Sequence, residues 1–398
     1  MKILHIIPNL RKGGAERLVN DIVRELATRE SVEVRMVLFR DEIAYDIQDI
    51  RHLVHIIPAS VHLSLWRKNK FQIDTLQQFL EDFQPDIIHT HLFEAEIVSR
   101  FCIYPKAKWF SHLHDNMIQF KNFELESILD KNAITNYYEK KVLFKRYKKN
   151  GGTHFFSISK YSDKFAESIQ TSYQLTLLPN AIDVKRFQKP ADNPITKGNI
   201  EMMFNEHNQS SNISFKPKSQ TQFIDRRWTL NLINIGSFTE NKNQQFLTDI
   251  ILKLNEIGIR VNFYFLGEGD CFAMVQEKAI KLGVQDQCQF LGNIENVEEY
   301  LWKSDVYVHV AKSEALGLTI IEAMAAGLSV ITLDGGGNRD LMINGKNGFL
   351  IEKQDPKEFA NRILEVYQNK EISDFNAEFA KQFDIKTYCD KLLEIYQS

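Results

Sequence analysis

The sequence predicts a two-domain α/β protein, each domain built on a parallel sheet with helices packed on its faces. Three observations carry this reading. The chain has 398 residues, more than one core ordinarily serves and comfortable for two domains. Short apolar runs alternate with amphipathic helical stretches along most of its length, as in βαβ units whose strands are buried on both faces. The alternation halts once, over a polar stretch near the middle, and then restarts.

The opening reads strand, loop, helix. KILHIIP suits a buried strand, RKGGAER is a glycine-broken loop, and Leu18, Ile22, Val23 and Leu26 recur at helical spacing. Strands follow at VEVRMVLF, VHIIP (54–58), IIHTH (87–91), WFSHLH (109–114), HFFSIS (154–159) and LTLLPN (175–180). Residues 189–228 are polar, lack periodicity and read as an interdomain linker with an insertion. Beyond them, strands are expected at LNLINIGS (230–237), VNFYFLG (261–267), CQFLG (288–292), VYVHVA (306–311), LSVITL (328–333) and GFLIE (348–352). Helices are expected over 243–256 and 271–282, and FDIKTYCDKLLEIYQ predicts a terminal helix. The expected domains are 1–188 and 229–383, with 384–398 packing back on the first.

Composition excludes several classes. Hydrophobic residues at 43% and charged residues at 25% describe an ordinary globular chain. Cys102, Cys271, Cys288 and Cys389 stand alone, which suits reduced thiols and neither a disulfide framework nor a zinc site. The N-terminal apolar run is broken by Pro8, too short for a signal-peptide core, and no run of about 20 apolar residues occurs. A cytoplasmic protein that does not span a membrane is expected. Net charge is −3, but residues 1–190 carry 28 Lys and Arg against 23 Asp and Glu, and the remainder 21 against 29. The acidic total and the lack of a recognisable module speak against nucleic acid.

The most informative stretch is VYVHVAKSEALGLTIIEAMAAGLSVITLDGGGNRDL (306–341), which reads as strand, loop, helix, strand, with Gly327 past the helix end. The loop SEALGL runs straight into TIIEAMAA. A helix N-terminus presents unpaired N–H groups and a partial positive charge, a seat for phosphate. Gly317 there lets the backbone approach a ligand closely. Glu314 stands in the loop and Glu322 about one turn into the helix, and both can face the crevice at the carboxyl ends of the strands. A carboxylate accepts several hydrogen bonds at once, which suits the paired hydroxyls of a sugar or a ribose. A lone surface glutamate signifies little; the combination carries the argument.

E-A-L-G-L-T-I-I-E-A-M-A-A-G-L-S-V-I resembles the E-G-F-G-L…E-A-M-A-x-G-x-P-V-I element of retaining glycosyltransferases of the glycogen-synthase-like group, family four type. Their two Rossmann-like domains facing across a cleft form the GT-B architecture. By that resemblance Glu314 contacts a hydroxyl of the donor sugar, Glu322 holds the ribose, and the amides of Leu316, Gly317 and Leu318 face the donor phosphates. Ala315-Leu316 replaces Gly-Phe, and Ser329 the usual proline. Gly13-Gly14 resembles the glycine pair that approaches donor phosphate and acceptor. His114, in SHLHDN, matches a histidine that faces the reacting sugar, so His114 and Glu314 take the catalytic places. LPNAID (178–183) resembles the interdomain P-N-G-V-D element. GSFTENKNQ (236–244) resembles G-R-L-x-x-x-K-N, whose arginine and lysine neutralise the diphosphate. Lys242 matches the lysine, but Ser237 stands at the arginine position, so one of two expected cations is missing. FLGEGD (265–270) and FLGNIENVEEYLWKSDVYV (290–308) match the base-binding stretch, with Asn293 and Ile294 bordering the base.

The resemblance implies transfer of a sugar, with retention and without metal or other cofactor, from a nucleotide-diphosphate sugar to a hydroxyl. By family frequency the donor is UDP-linked; the acceptor is a glycan or lipid-linked glycan of bacterial-type polysaccharide or glycolipid assembly. The donor belongs mainly on 229–383 and the acceptor on 1–188, with acceptor choice in loops such as 60–72 and 115–135. Two readings stand beside this one: a sugar-nucleotide epimerase of the same fold, and a catalytically silent nucleotide-sugar-binding subunit, which Ser237 suggests. His89/His91 and His112/His114 alternate on strands and could each offer two metal ligands on one face, but no acidic or cysteine cluster completes a site. YYEKKVLFKRYKKN concentrates Lys140, Lys141, Lys145, Arg146, Lys148 and Lys149. Such a helix fits either peripheral contact of 137–149 with the inner face of a membrane or a solvated helix packed on the sheet.

Overall fold

The computed structural model describes residues 1–64, 68–114, 120, 130–166, 172–190, 229–369 and 371–398. The polar stretch read as a linker lies outside the described residues from 191 to 228, as do parts of the loops 60–72 and 115–135. The first sheet contains β1 (Lys2–Ile7), β2 (Glu33–Leu38), β3 (Val54–Ile56), β6 (Ile87–His91), β7 (Lys108–Leu113), β8 (His154–Ser157) and β9 (Gln174–Leu177). Beside it stands a small antiparallel pair, β4 (Ser60–His62) and β5 (Lys70–Gln72). The second sheet contains β10 (Thr229–Ile235), β11 (Arg260–Leu266), β12 (Cys288–Gly292), β13 (Val306–His309), β14 (Ser329–Leu333) and β15 (Gly348–Ile351).

Both large sheets are parallel throughout. Their strand orders are β3-β2-β1-β6-β7-β8-β9 and β12-β11-β10-β13-β14-β15. In each the order reverses beside its first strand, between β1 and β6 and between β10 and β13. The loops leaving those strands diverge there and open a crevice at their carboxyl ends. The strands read as continuous apolar runs because helices cover both faces: β14, SVITL, is buried at every residue.

The chain passes between the domains at two adjoining places. Ile182 N–H donates to Phe383 O at 3.0 Å, and Ile385 N–H donates to Ile182 O at 2.9 Å. After the first crossing, Ile182, Val184 and Phe187 pack into the second domain's core with Leu301, Ile320 and Met324. After the second, the helix Ile385–Gln397 lays Tyr388, Cys389, Leu392 and Tyr396 against Leu18, Ile22 and Phe110 of the first domain. Leu392 is fully buried there. Leu392→Ala should therefore cost about 2–5 kcal/mol, read as a lowered urea midpoint; an unchanged midpoint would show that this helix is not part of the first core.

Candidate active site

The two loops flanking the second domain's switch point bring Lys242 and Glu314 together. Lys242 Nζ lies 2.6 Å from Glu314 Oε2, and His309 Nε2 lies 3.1 Å from the same oxygen. Behind His309 a polar chain runs inward: Tyr307 OH is 3.3 Å from His309 Nδ1 and donates to Thr319 Oγ1 at 2.7 Å. Burial pulls the Glu314 carboxyl upward, but the His309 hydrogen bond and the Lys242 ammonium outweigh it and hold it at about 2. Glu314 is an ionised acceptor at neutral pH, not a proton donor.

The loop after β14 clamps the backbone beside it. Glu314 N–H donates to Gly335 O at 2.8 Å, and Gly337 N–H donates to Glu314 O at 2.9 Å. A Cβ on Gly337 would fall 1.9 Å from Ala315 O, so the close approach of these loops requires a glycine. Gly317, at φ 90°, caps the helix Leu318–Ala325 with no side-chain hydrogen bond, and among the described residues no side chain accepts from the amides of the first turn. Leu316 is buried just before it.

The first domain meets this helix start directly. Gly14 opens the helix Gly14–Leu26, and a Cβ on it would sit 3.1 Å from Leu318 Cδ1. Gly13 exchanges hydrogen bonds with Tyr45: its N–H donates to the hydroxyl at 2.9 Å, and the hydroxyl donates to Gly13 O at 2.8 Å. From the same helix Arg17 NH1 reaches Glu322 Oε1 at 2.7 Å. Glu322 is 3% exposed; burial raises its pKa against the pull of Arg17 and Arg186.

His114 ends a buried stack of imidazoles from neighbouring strands. His5 Nδ1 is 2.8 Å from His91 Nε2, and His91 Nδ1 is 2.8 Å from His114 Nε2. The His112 and His114 rings stack at 4.0 Å and 12°. The alternating pairs thus gain a further histidine from β1, forming the triads His5–His89–His91 and His91–His112–His114. The contacts among these rings are hydrogen bonds and ring stacking. Burial holds His5 and His114 down to about 3 and keeps His89, His91 and His112 well below their usual range.

Lys242, Glu314, Gly317, Leu318, Glu322, Gly13 and Gly14 thus gather at one crevice. Asn293 lies apart, exposed on the rim after β12, where its Nδ2 donates to Glu268 Oε2 at 2.9 Å. No hydrogen bond or ion pair among the described residues joins His114 to Lys242 or Glu314. Ser237 is exposed, its carbonyl accepting from Gln244 Nε2 at 3.0 Å. Sequence reasoning missed Arg17, His309, Tyr307 and His5. Arg17 left one weak signal: a cation in the first turn of a helix opposes the helix dipole, though Asp21 of the same helix also answers its charge. The run Gly335-Gly336-Gly337 was a signal of close backbone approach.

Two doubly wound domains meeting at their strand carboxyl ends define the GT-B class. Residues 12–186 match the model for Glycosyltransferase Family 4 and residues 227–383 that for Glycosyl transferases group 1, and the chain belongs to these glycosyltransferases. It is 35% identical over 132 residues to EpsD of Bacillus subtilis (strain 168), which carries a glycosyltransferase name; the match covers 33% of this chain and 35% of that protein. It is 26% identical over 191 residues to the GPI3 subunit of phosphatidylinositol N-acetylglucosaminyltransferase of Saccharomyces cerevisiae (strain YJM789), covering 46% and 42%. The chain thus spans less than half the length of these curated relatives. The crystal structure of Anabaena HepE with UDP and glucose shares the fold, at TM-score 0.72 and 18% identity, over 100% of this chain and 99% of that one.

The histidine stack has a pH signature. An unfolded histidine takes a proton near pH 6.5, whereas His5 and His114 in the fold hold out to about 3. The folded pKa is the lower one, so stability is full above pH 6.5 and falls as pH drops toward 3. Urea midpoints followed from pH 7.5 to 5 should decline, and His5→Phe should make the decline shallower by one proton. A midpoint flat over that window would contradict the buried, neutral stack.

Proposed function

We propose that the protein is a retaining glycosyltransferase moving a sugar from a uridine-diphosphate sugar to a hydroxyl of a glycan or lipid-linked glycan. The observation that carries the reading is the ionised Glu314 beside Lys242 at the start of the helix Leu318–Ala325, with Gly14 of the other domain against that same start. Supporting the uridine donor is the likeness to HepE, solved with UDP and glucose.

In this reading the diphosphate lies on the amides of Leu316, Gly317 and Leu318, with the Lys242 ammonium beside it. Positive charge then stands where negative charge develops on the departing nucleotide. Lys242 and the helix start supply that charge without a metal ion, and no cofactor is needed beyond the donor. Glu314, held at about 2, accepts hydrogen bonds from sugar hydroxyls and orients the ring. Glu322 takes the ribose hydroxyls and Asn293 borders the base. The bond from the sugar's anomeric carbon to the phosphate breaks as the acceptor oxygen bonds to the same face, and the acceptor proton passes to the leaving phosphate. His114 offers a neutral imidazole to the reacting sugar. Meeting of the domains excludes water, which protects the activated sugar from hydrolysis.

The acceptor side belongs to the first domain. Its helix Lys131–Lys149 buries Leu143 and Tyr147 while Lys141, Lys145, Lys148 and Lys149 are exposed, which supports peripheral contact with an anionic surface. No helix among the described residues is long and apolar enough to cross a membrane.

Glu314→Ala and Lys242→Ala should each lower the turnover of a UDP-sugar about 10²-fold, the scale of losing one preorganised charge partner, with little change in Tm. Product analysis reads the stereochemistry: an anomer of the donor's own configuration is expected. Full activity in both variants would refute the site, and an epimerised donor formed without acceptor would refute the reaction.

A further inference from the structure

The interdomain pair Arg17–Glu322 has a role that neither residue's own domain requires. Arg17 occupies the first turn of the helix Gly14–Leu26, where the helix dipole disfavours a cation. Its guanidinium crosses to the other domain, 2.7 Å from Glu322 Oε1, and rests over the Phe187 ring at 5.1 Å. Phe187 belongs to the interdomain segment packed in the second domain's core. Arg17 is therefore fixed from three sides: by its own helix, by the crossing segment and by the carboxylate it meets.

We infer that Arg17 is a positioning residue for the nucleoside half of the donor, reaching from the first domain to keep Glu322 ionised and aimed for the ribose hydroxyls. This rests on the reading of Glu322 as the ribose ligand.

The chemistry follows from burial. A carboxylate out of water and without a counter-charge takes up a proton. The protonated form keeps an O–H and loses acceptor capacity for two adjacent hydroxyls. The charged and titratable groups facing Glu322 are Arg17 from the first helix, Arg186 from the helix Val184–Phe187, Glu298 from the helix Val297–Lys303 and Tyr307 from β13; Arg17 itself also faces Asp21, four residues on along its own helix, whose carboxyl burial pushes up to about 6. Arg186 is committed elsewhere, with its NH2 3.1 Å from Glu298 Oε2 and 2.8 Å from Glu295 O. Glu298 repels a second negative charge, and Tyr307 is uncharged. Arg17 alone in that set is both in contact and opposite in charge. A nucleotide seated on Glu322 thus reports whether the first domain is in place.

The test is UDP binding by titration calorimetry at intervals from pH 8 to 5, for the wild type, Arg17→Ala, Arg17→Lys and Glu322→Gln. Arg17→Ala should weaken UDP about tenfold near pH 7, the loss of one charge-supported hydrogen bond. Its acid limb should move to higher pH, because Glu322 then protonates sooner, and Arg17→Lys should restore most of the affinity and return the limb. Arg17→Gln serves the same comparison should the alanine variant fold poorly. If Arg17→Ala binds UDP with wild-type affinity and an unmoved acid limb while Glu322→Gln loses binding, the Arg17 inference is overturned alone. If Glu322→Gln binds as the wild type does, both the inference and the ribose assignment fall.

Discussion

A carboxylate drawn out of water needs a positive partner, and where the two glutamates of the crevice find theirs organises the molecule. Glu314 is answered within its own domain, by Lys242 from the loop after β10 and by His309 on β13. Glu322, eight residues further along, is answered from the other domain by Arg17. Half of the site is therefore built into the second domain. The other half exists only where the domains meet, and Gly14 abuts Leu318 at that meeting.

The fold brings these partners into range by topology. Each sheet reverses its order beside its first strand, so the loops carrying Gly13, Lys242 and Glu314 all open into one crevice. Paired crossings at Ile182 and Asp384 tie the domains side by side. The segment from the first crossing also places Phe187 beneath Arg17. Packing, crossing and charge thus converge on the start of the helix Leu318–Ala325.

Much of the architecture could be read from the chain because buried parallel strands write themselves as unbroken apolar runs. KILHII, VYVH and SVITL need no tertiary context to be recognised. The short β4 and β5, exposed in part and held mainly to each other, leave no comparable trace. In the site, Glu314 and Glu322 were visible because one loop and one helix hold both. Arg17 was not, since its partner lies 305 residues away and nothing in one sequence joins them. His5 was hidden for a similar reason: a lone histidine in an apolar strand acquires meaning only when β6 lays His91 beside it. The missing cation at Ser237 was legible, whereas its consequences depend on which other charges reach the crevice.

The claim on which the account turns is that a nucleotide diphosphate sits at the start of the helix Leu318–Ala325, between the domains. A crystal structure of the protein with UDP tests it most directly. Phosphate oxygens are expected about 3 Å from the amides of Gly317 and Leu318 and from Lys242 Nζ, with the ribose hydroxyls on Glu322. A nucleotide held away from that helix start, with Lys242 still paired only to Glu314, would contradict it.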